Sequence, residues 1–175
     1  MNRITILVWC LAAVALAGCQ KTVDTTASTA APPGGHQLPT HAQPKLPTIK
    51  LFVGPATLDT EMALTPEQEE TGMMYRTNIQ DSDSMIFVLP YPQQASFWMY
   101  HCPESISAAY ITPDGVIAEI HHFEHEDTNA VLSATSNILY VLETSDGWFA
   151  RHGVSPGMVI QTEHGSLADT FIRHQ

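Results

Sequence analysis

The chain has 175 residues, enough for one domain of ordinary size and too few for two sizeable cores. Its 7 Lys and Arg stand against 18 Asp and Glu, a formal net charge of -11. That balance repels phosphate backbones, and so excludes an electrostatically driven nucleic-acid binder.

Residues 1–18 read as a signal peptide. Arg3 supplies the positive start, Ile4 to Ala17 the apolar core, and small residues precede Cys19. The apolar run is shorter than the about 20 residues that a membrane-spanning helix needs. Leu16-Ala17-Gly18-Cys19 resembles a bacterial lipobox. In signals of that kind the cysteine receives a diacylglyceryl thioether and the chain is cut before it, so Cys19 is the expected membrane anchor. Gln20, not Asp, follows, which by resemblance to Gram-negative sorting favours the outer membrane, facing the periplasm. Residues 19–47 then form a tether rich in Thr, Ala and Pro. Such a segment buries too little apolar surface to offset its ordering entropy and is expected to be disordered.

The folded domain is expected over residues 48–164. Ile49, Leu51 and Val53 alternate with Lys50 and Phe52, the pattern of a half-buried strand. Leu58 to Leu64 reads as a second strand. Thr65-Pro66-Glu67-Gln68 is a helix start: Thr65 caps, Pro66 takes the first helical position, and Gln68 completes a capping box. Short apolar runs follow at Met85–Leu89, Ala95–Cys102, Ile106–Thr112, Val116–Phe123 and Asn137–Thr144, separated by turn residues. Ser145-Asp146 reads as the cap of a short helix from Gly147 to His152, and a last strand lies within Val154–Thr162. The pattern predicts a mainly β fold: a compact antiparallel β-sandwich or barrel-like domain with one or two short helices. Residues 165–175 read as a tail, either a short helix or frayed.

Ser96-Phe97-Trp98-Met99-Tyr100-His101-Cys102-Pro103 is the densest stretch, with three aromatics and the only cysteine beyond the first nineteen residues. Its pattern predicts the central strand of the core, apolar on both faces. On a regular strand His101 and Cys102 point oppositely, so they form no dyad. Cys10 leaves with the signal and Cys19 carries lipid, so Cys102 has no disulfide partner in the chain. It reads as a small buried hydrophobe, with a reactive thiol as the alternative. His121, His122 and His125 are weak metal candidates: on a strand His121 and His125 lie about 13 Å apart, too far to share one ion. Glu61, Arg76 and Glu143 are charges embedded in apolar runs, which implies either an Arg76–carboxylate pair or a polar cleft. The candidate binding cleft comprises Arg76, Trp98, His101 and Glu143. No catalytic residue and no cofactor is predicted.

Several separated motifs occur in order: Glu61-Met62-Ala63, Thr65-Pro66-Glu67, Gly72-Met73-Met74-Tyr75-Arg76, Ser84-Met85-Ile86-Phe87-Val88, Ser96-Phe97-Trp98-Met99, Asp114-Gly115, Tyr140-Val141-Leu142-Glu143 and Gly147-Trp148-Phe149-Ala150-Arg151-His152-Gly153. Together they resemble the domain-of-unknown-function 192 family across residues 49–162. The resemblance implies a compact β-structure with one or two short helices, secreted or membrane-anchored, and implies no particular activity. Two carboxylates of the family's pattern are replaced here, by Ser107 and Met158.

These readings converge on a lipid-anchored cell-envelope domain, held to the membrane through Cys19, that binds a small molecule, glycan or envelope protein without chemistry. One alternative is a hydrolase or metal-dependent enzyme using His101 and Cys102 or the His121–His125 cluster. The other is a structural envelope component.

Overall fold

The computed structural model describes residues 38–172. The signal peptide, Cys19, the tether up to residue 37 and residues 173–175 lie outside the described residues. In chain order the elements are β1 (Thr48–Val53), β2 (Ala56–Ala63), α1 (Pro66–Thr71), β3 (Ser84–Gln93), β4 (Ser96–Phe97), β5 (Ile106–Ile111), β6 (Ile117–Phe123), β7 (Val131–Leu132), β8 (Ile138–Ser145), α2 (Trp148–Arg151), β9 (Ile160–Thr162), β10 (Gly165–Ser166) and α3 (Leu167–Phe171).

Period-2 patterning does what it should in β1, where Leu51 and Val53 are buried and Phe52 is exposed. The α1 capping box forms as the sequence requires. The Gln68 N–H donates to Thr65 Oγ1 at 3.3 Å, and the Thr65 N–H donates to Gln68 Oε1 at 3.2 Å. The β2–α1–β3 crossover makes β2 and β3 parallel, while the other paired strands run antiparallel.

One eight-stranded sheet runs β10-β9-β1-β2-β3-β8-β5-β6, and β4 pairs with β7 in a small second sheet. The large sheet curls into a half-barrel. Val116, just before β6, bridges Val159, just before β9, although β6 is an edge of the sheet and β9 lies one strand in from the other. Three backbone bonds reinforce that seam: Ile117 N–H to Met158 O, Gly157 N–H to Ile117 O, and Ile160 N–H to Gly115 O, at 2.8, 2.8 and 2.9 Å. Gly115 has φ +83°, and a side chain there would stand 3.0 Å from the Ile160 carbonyl, so the seam needs glycine.

The sheet has an apolar layer on each face. Leu51, Val53, Ile86, Ile111 and Leu142 pack with Trp148, Phe149 and Phe171 on the first. Met85, Phe87, Ala108, Tyr110 and Val141 pack with Met73, Met99 and Cys102 on the second. β5 and β8 are buried at every residue because both their faces are covered. No helix among the described residues is long and apolar enough to cross a membrane.

The structure departs from the sequence reading in four places. The centre of the sheet is β8 with β5, not Ala95–Cys102, of which only Ser96 and Phe97 are strand. After Phe97 the chain turns: the Cys102 N–H reaches the Met99 carbonyl at 3.0 Å, and His101 adopts φ +55°. The run is apolar because Phe97, Met99 and Cys102 plug into the second layer from outside the sheet. Strand β3 continues through Pro90-Tyr91-Pro92, where its pairing with β8 lapses between Val88 and Gln93. Gly147 caps α2, at φ 67°, because Ser145 and Asp146 are engaged elsewhere, with Asp81 and His122. Finally, residues 38–47 are seated on the domain. Gln43 Nε2 donates to the carbonyls of Gln68 and Gly72, the Tyr75 hydroxyl donates to Pro39 O, and the Met62 N–H donates to Pro47 O.

Candidate functional site

Strand register places Glu61, Met85, Glu143, Ala108 and His121 opposite one another on adjacent strands from β2 to β6. Directly facing residues project to the same side of a sheet. One rung therefore carries two carboxylates and a histidine across the second apolar layer.

Arg76, from the loop after α1, reaches this rung and chooses Glu61. The pair is bidentate, Nη1 to Oε1 at 2.6 Å and Nη2 to Oε2 at 2.8 Å, with both side chains largely buried. Glu61 Oε2 also accepts the Leu46 N–H at 2.7 Å. Burial alone would push the Glu61 carboxyl up; the Arg76 guanidinium and the Leu46 N–H outweigh it and hold the carboxyl below its ordinary range.

Glu143 is left without that partner. It is 5% exposed, and no hydrogen bond reaches its carboxyl among the described residues. Burial pushes it up to about 8, against the opposing pull of the Arg76 charge. At neutral pH it is a protonated acid, able to donate a hydrogen bond. Nearby, Cys102 is buried, and burial with the Glu143 charge pushes its thiol up to about 12. Nucleophilic chemistry at Cys102 therefore has no thiolate to draw on near pH 7.

Beside Arg76 opens a cleft of about 330 Å³, walled by Gln43, Lys45, Tyr75, Ile79 and Asp83. Glu104 fixes one wall by accepting the N–H groups of Asn78 and Ile79. Trp98 and His101 do not line the cleft; an aromatic ladder connects them to it. Trp98 stacks on Tyr100 with ring centroids 5.3 Å apart, Tyr100 meets His101 at 3.8 Å, and His101 stacks on Tyr75 at 4.8 Å. Trp98 is 43% exposed. Tyr75 and His101 both hold left-handed backbone, φ 61° and 55°, and the Tyr75 N–H donates to His101 O at 2.7 Å. Two strained non-glycine residues joined by one short bond need the surrounding packing to hold them.

The four candidate residues thus fall into three settings: Arg76 on the cleft wall, Glu143 in the layer near it, and Trp98 with His101 along the ladder. Tyr75 and Tyr100, which complete the ladder, lie in stretches the sequence marks but outside its candidate cleft residues; their flanking positions, beside Arg76 and His101, are the available signal.

The histidines at the end of β6 and beyond it are each engaged with a carboxylate, and His122 and His125 share Glu124. His121 pairs with Glu119 at 2.9 Å, His122 with Asp146 at 2.8 Å, and His125 with Glu124 at 2.5 Å. The Asp146 and Glu124 contacts raise the His122 imidazole. No group of three or more His, Cys, Asp or Glu side chains placed to hold a metal ion occurs among the described residues. The two substituted carboxylate positions have structural work. Ser107 Oγ accepts the Gly147 N–H at 2.9 Å at the start of α2, and Met158 packs against Gly54 at the barrel seam.

The state of Glu143 makes stability pH-dependent. Its folded pKa lies above the ordinary 4.5, so the folded state keeps a proton that the unfolded state releases. Stability from this group is complete at low pH, falls as pH rises from about 4.5 to about 8, and is flat above. Glu143→Gln should match wild type near pH 4 and exceed it above pH 8 by more than about 2 kcal/mol in urea unfolding. Parallel pH profiles for the two proteins would contradict the assignment.

No curated protein matches this chain. Among solved structures, a protein of unknown function from Novosphingobium aromaticivorans is similar at 26% identity and TM-score 0.60, covering 65% of this chain and 83% of its own. A Sinorhizobium meliloti protein described as a "putative transcription regulator" is similar at 28% identity and TM-score 0.60, covering 65% of this chain and 91% of its own. The DUF192 family, described as "Uncharacterized ACR", matches residues 49–162, from β1 to the end of β9. With its ordered motifs and all of its large sheet except β10 within those limits, the chain belongs to the DUF192 family.

Proposed function

We propose that this chain is a lipid-anchored cell-envelope domain that binds a glycan, without chemistry, along the aromatic ladder and the cleft beside Arg76. The observation that carries the reading is the ladder itself. An exposed indole leads through Tyr100 and His101 to Tyr75 on the cleft wall. Aromatic faces stack on the apolar faces of sugar rings and lose little rotamer freedom on binding. The N–H groups of Arg76 not spent on Glu61 offer donors to hydroxyls. The left-handed turns at Tyr75 and His101 hold two of the rings in place before a ligand arrives, which lowers the cost of binding.

Catalysis draws less support. The thiol of Cys102 is protonated near neutral pH, and His121, His122 and His125 are each already engaged with carboxylates, Glu119, Asp146 and Glu124. A nucleic-acid partner, suggested by the description of the Sinorhizobium relative, runs against the net charge of -11. The anchor rests on Leu16-Ala17-Gly18-Cys19, and Gln20 directs it to the outer membrane with the domain in the periplasm.

Two measurements test the two halves. Chitotetraose and maltotetraose are titrated against the protein while tryptophan fluorescence is followed. At least one should quench saturably, and Trp98→Ala, followed by calorimetry because it removes the reporting indole, should weaken binding at least tenfold without lowering the melting temperature. A flat response to both sugars sinks the glycan reading. For the anchor, Cys19→Ala should yield soluble protein or unprocessed precursor, and a lipidated product from that variant would refute it.

A further inference from the structure

A second concavity, independent of the cleft, lies where β3 parts from β8. It encloses about 510 Å³, within the range of small-molecule sites. Its rim is stiff, because Pro66, Pro90, Pro92 and Pro113 line it. Its walls are apolar and open. Leu64, Tyr91 and Ile172 are 49%, 62% and 46% exposed, and they are three of the seven exposed large hydrophobics among the described residues. Grouping of that kind marks a binding surface more often than scattered exposure does.

One charged group, Glu69 of α1, faces into this apolar lining. Among the described residues no lysine or arginine lines the groove, and none makes an ion pair or hydrogen bond to the Glu69 carboxyl. Partial burial without a counter-charge pushes that carboxyl up from its ordinary range. Glu67, on the same helix, adds to the negative field. An apolar trough with one uncompensated carboxylate is complementary to one ligand type, and Tyr91 adds an aromatic face for a cation.

We infer that this groove binds a hydrophobic amine, whose cationic head pairs with Glu69 and whose apolar body lies between Leu64, Tyr91 and Ile172. The recognised chemistry is a single positive charge on a short apolar frame. A neutral ligand of the same shape gains the burial but not the ion pair, and an anionic one meets repulsion.

The test uses three water-soluble probes of one shape on the full chain, with calorimetry as readout: 2-phenylethylamine, 2-phenylethanol and 3-phenylpropionate. The amine should bind tightest and the acid weakest. Glu69→Gln should weaken the amine about fivefold, the scale of one partly exposed ion pair, and leave the alcohol unchanged. Tyr91→Ala should weaken amine and alcohol together, and reports on the groove without altering α1. The inference is overturned if no probe saturates, if the alcohol matches the amine, or if Glu69→Gln leaves the amine unaffected. It is also overturned if the amine binds only after Arg173→Gln, because the chain's own tail is then the occupant.

Discussion

Arg76 offers one planar fork to a layer that contains two carboxylates, and its choice organises the site. Glu61 receives both arms of the fork and the Leu46 N–H. A pair buried this far adds little net stability, because desolvation offsets most of the attraction; leaving either partner alone costs about 3–5 kcal/mol. The pair therefore fixes geometry more than it stabilises. It pins the loop after α1 to β2, draws the chain before β1 onto the same carboxylate, and sets the cleft between those two segments.

The same choice decides the chemistry of Glu143. On the same rung, but without the fork, it stays protonated at neutral pH and contributes a donor rather than a charge. Near Cys102 a carboxylate further disfavours the thiolate, so the layer holds two acids that both keep their protons. Such a layer supplies no thiolate nucleophile near neutral pH. The left-handed turns at Tyr75 and His101 hold two rings of the ladder against each other.

Much of the fold was legible from local rules. The Thr65–Gln68 capping box, the alternation in β1 and the Asp114-Gly115 turn each follow from residue chemistry acting over a few positions. The need for a partner at Arg76 was equally legible; which carboxylate it takes was not. Glu61 and Glu143 lie two strands apart on one rung, and only the order β2-β3-β8 brings both near the same guanidinium. Residues Ala95–Cys102 misled for a related reason. A run apolar on both faces fits a central strand, but it fits equally a turn that plugs side chains into a layer from outside. The left-handed backbone at His101 decides between them, and a histidine does not announce that conformation as glycine would. The ladder stayed hidden because Tyr75 and Tyr100 are 25 positions apart and meet only through His101.

How Arg76 divides its charge between two carboxylates sets the protonation of the whole layer. The most direct measurement is a carbon-detected NMR titration of the Glu61 and Glu143 side-chain carboxyls in the folded protein. Glu61 should titrate below the ordinary 4.5 and Glu143 near 8. A Glu143 midpoint in the ordinary carboxylate range, or the reverse order of the two, would contradict it.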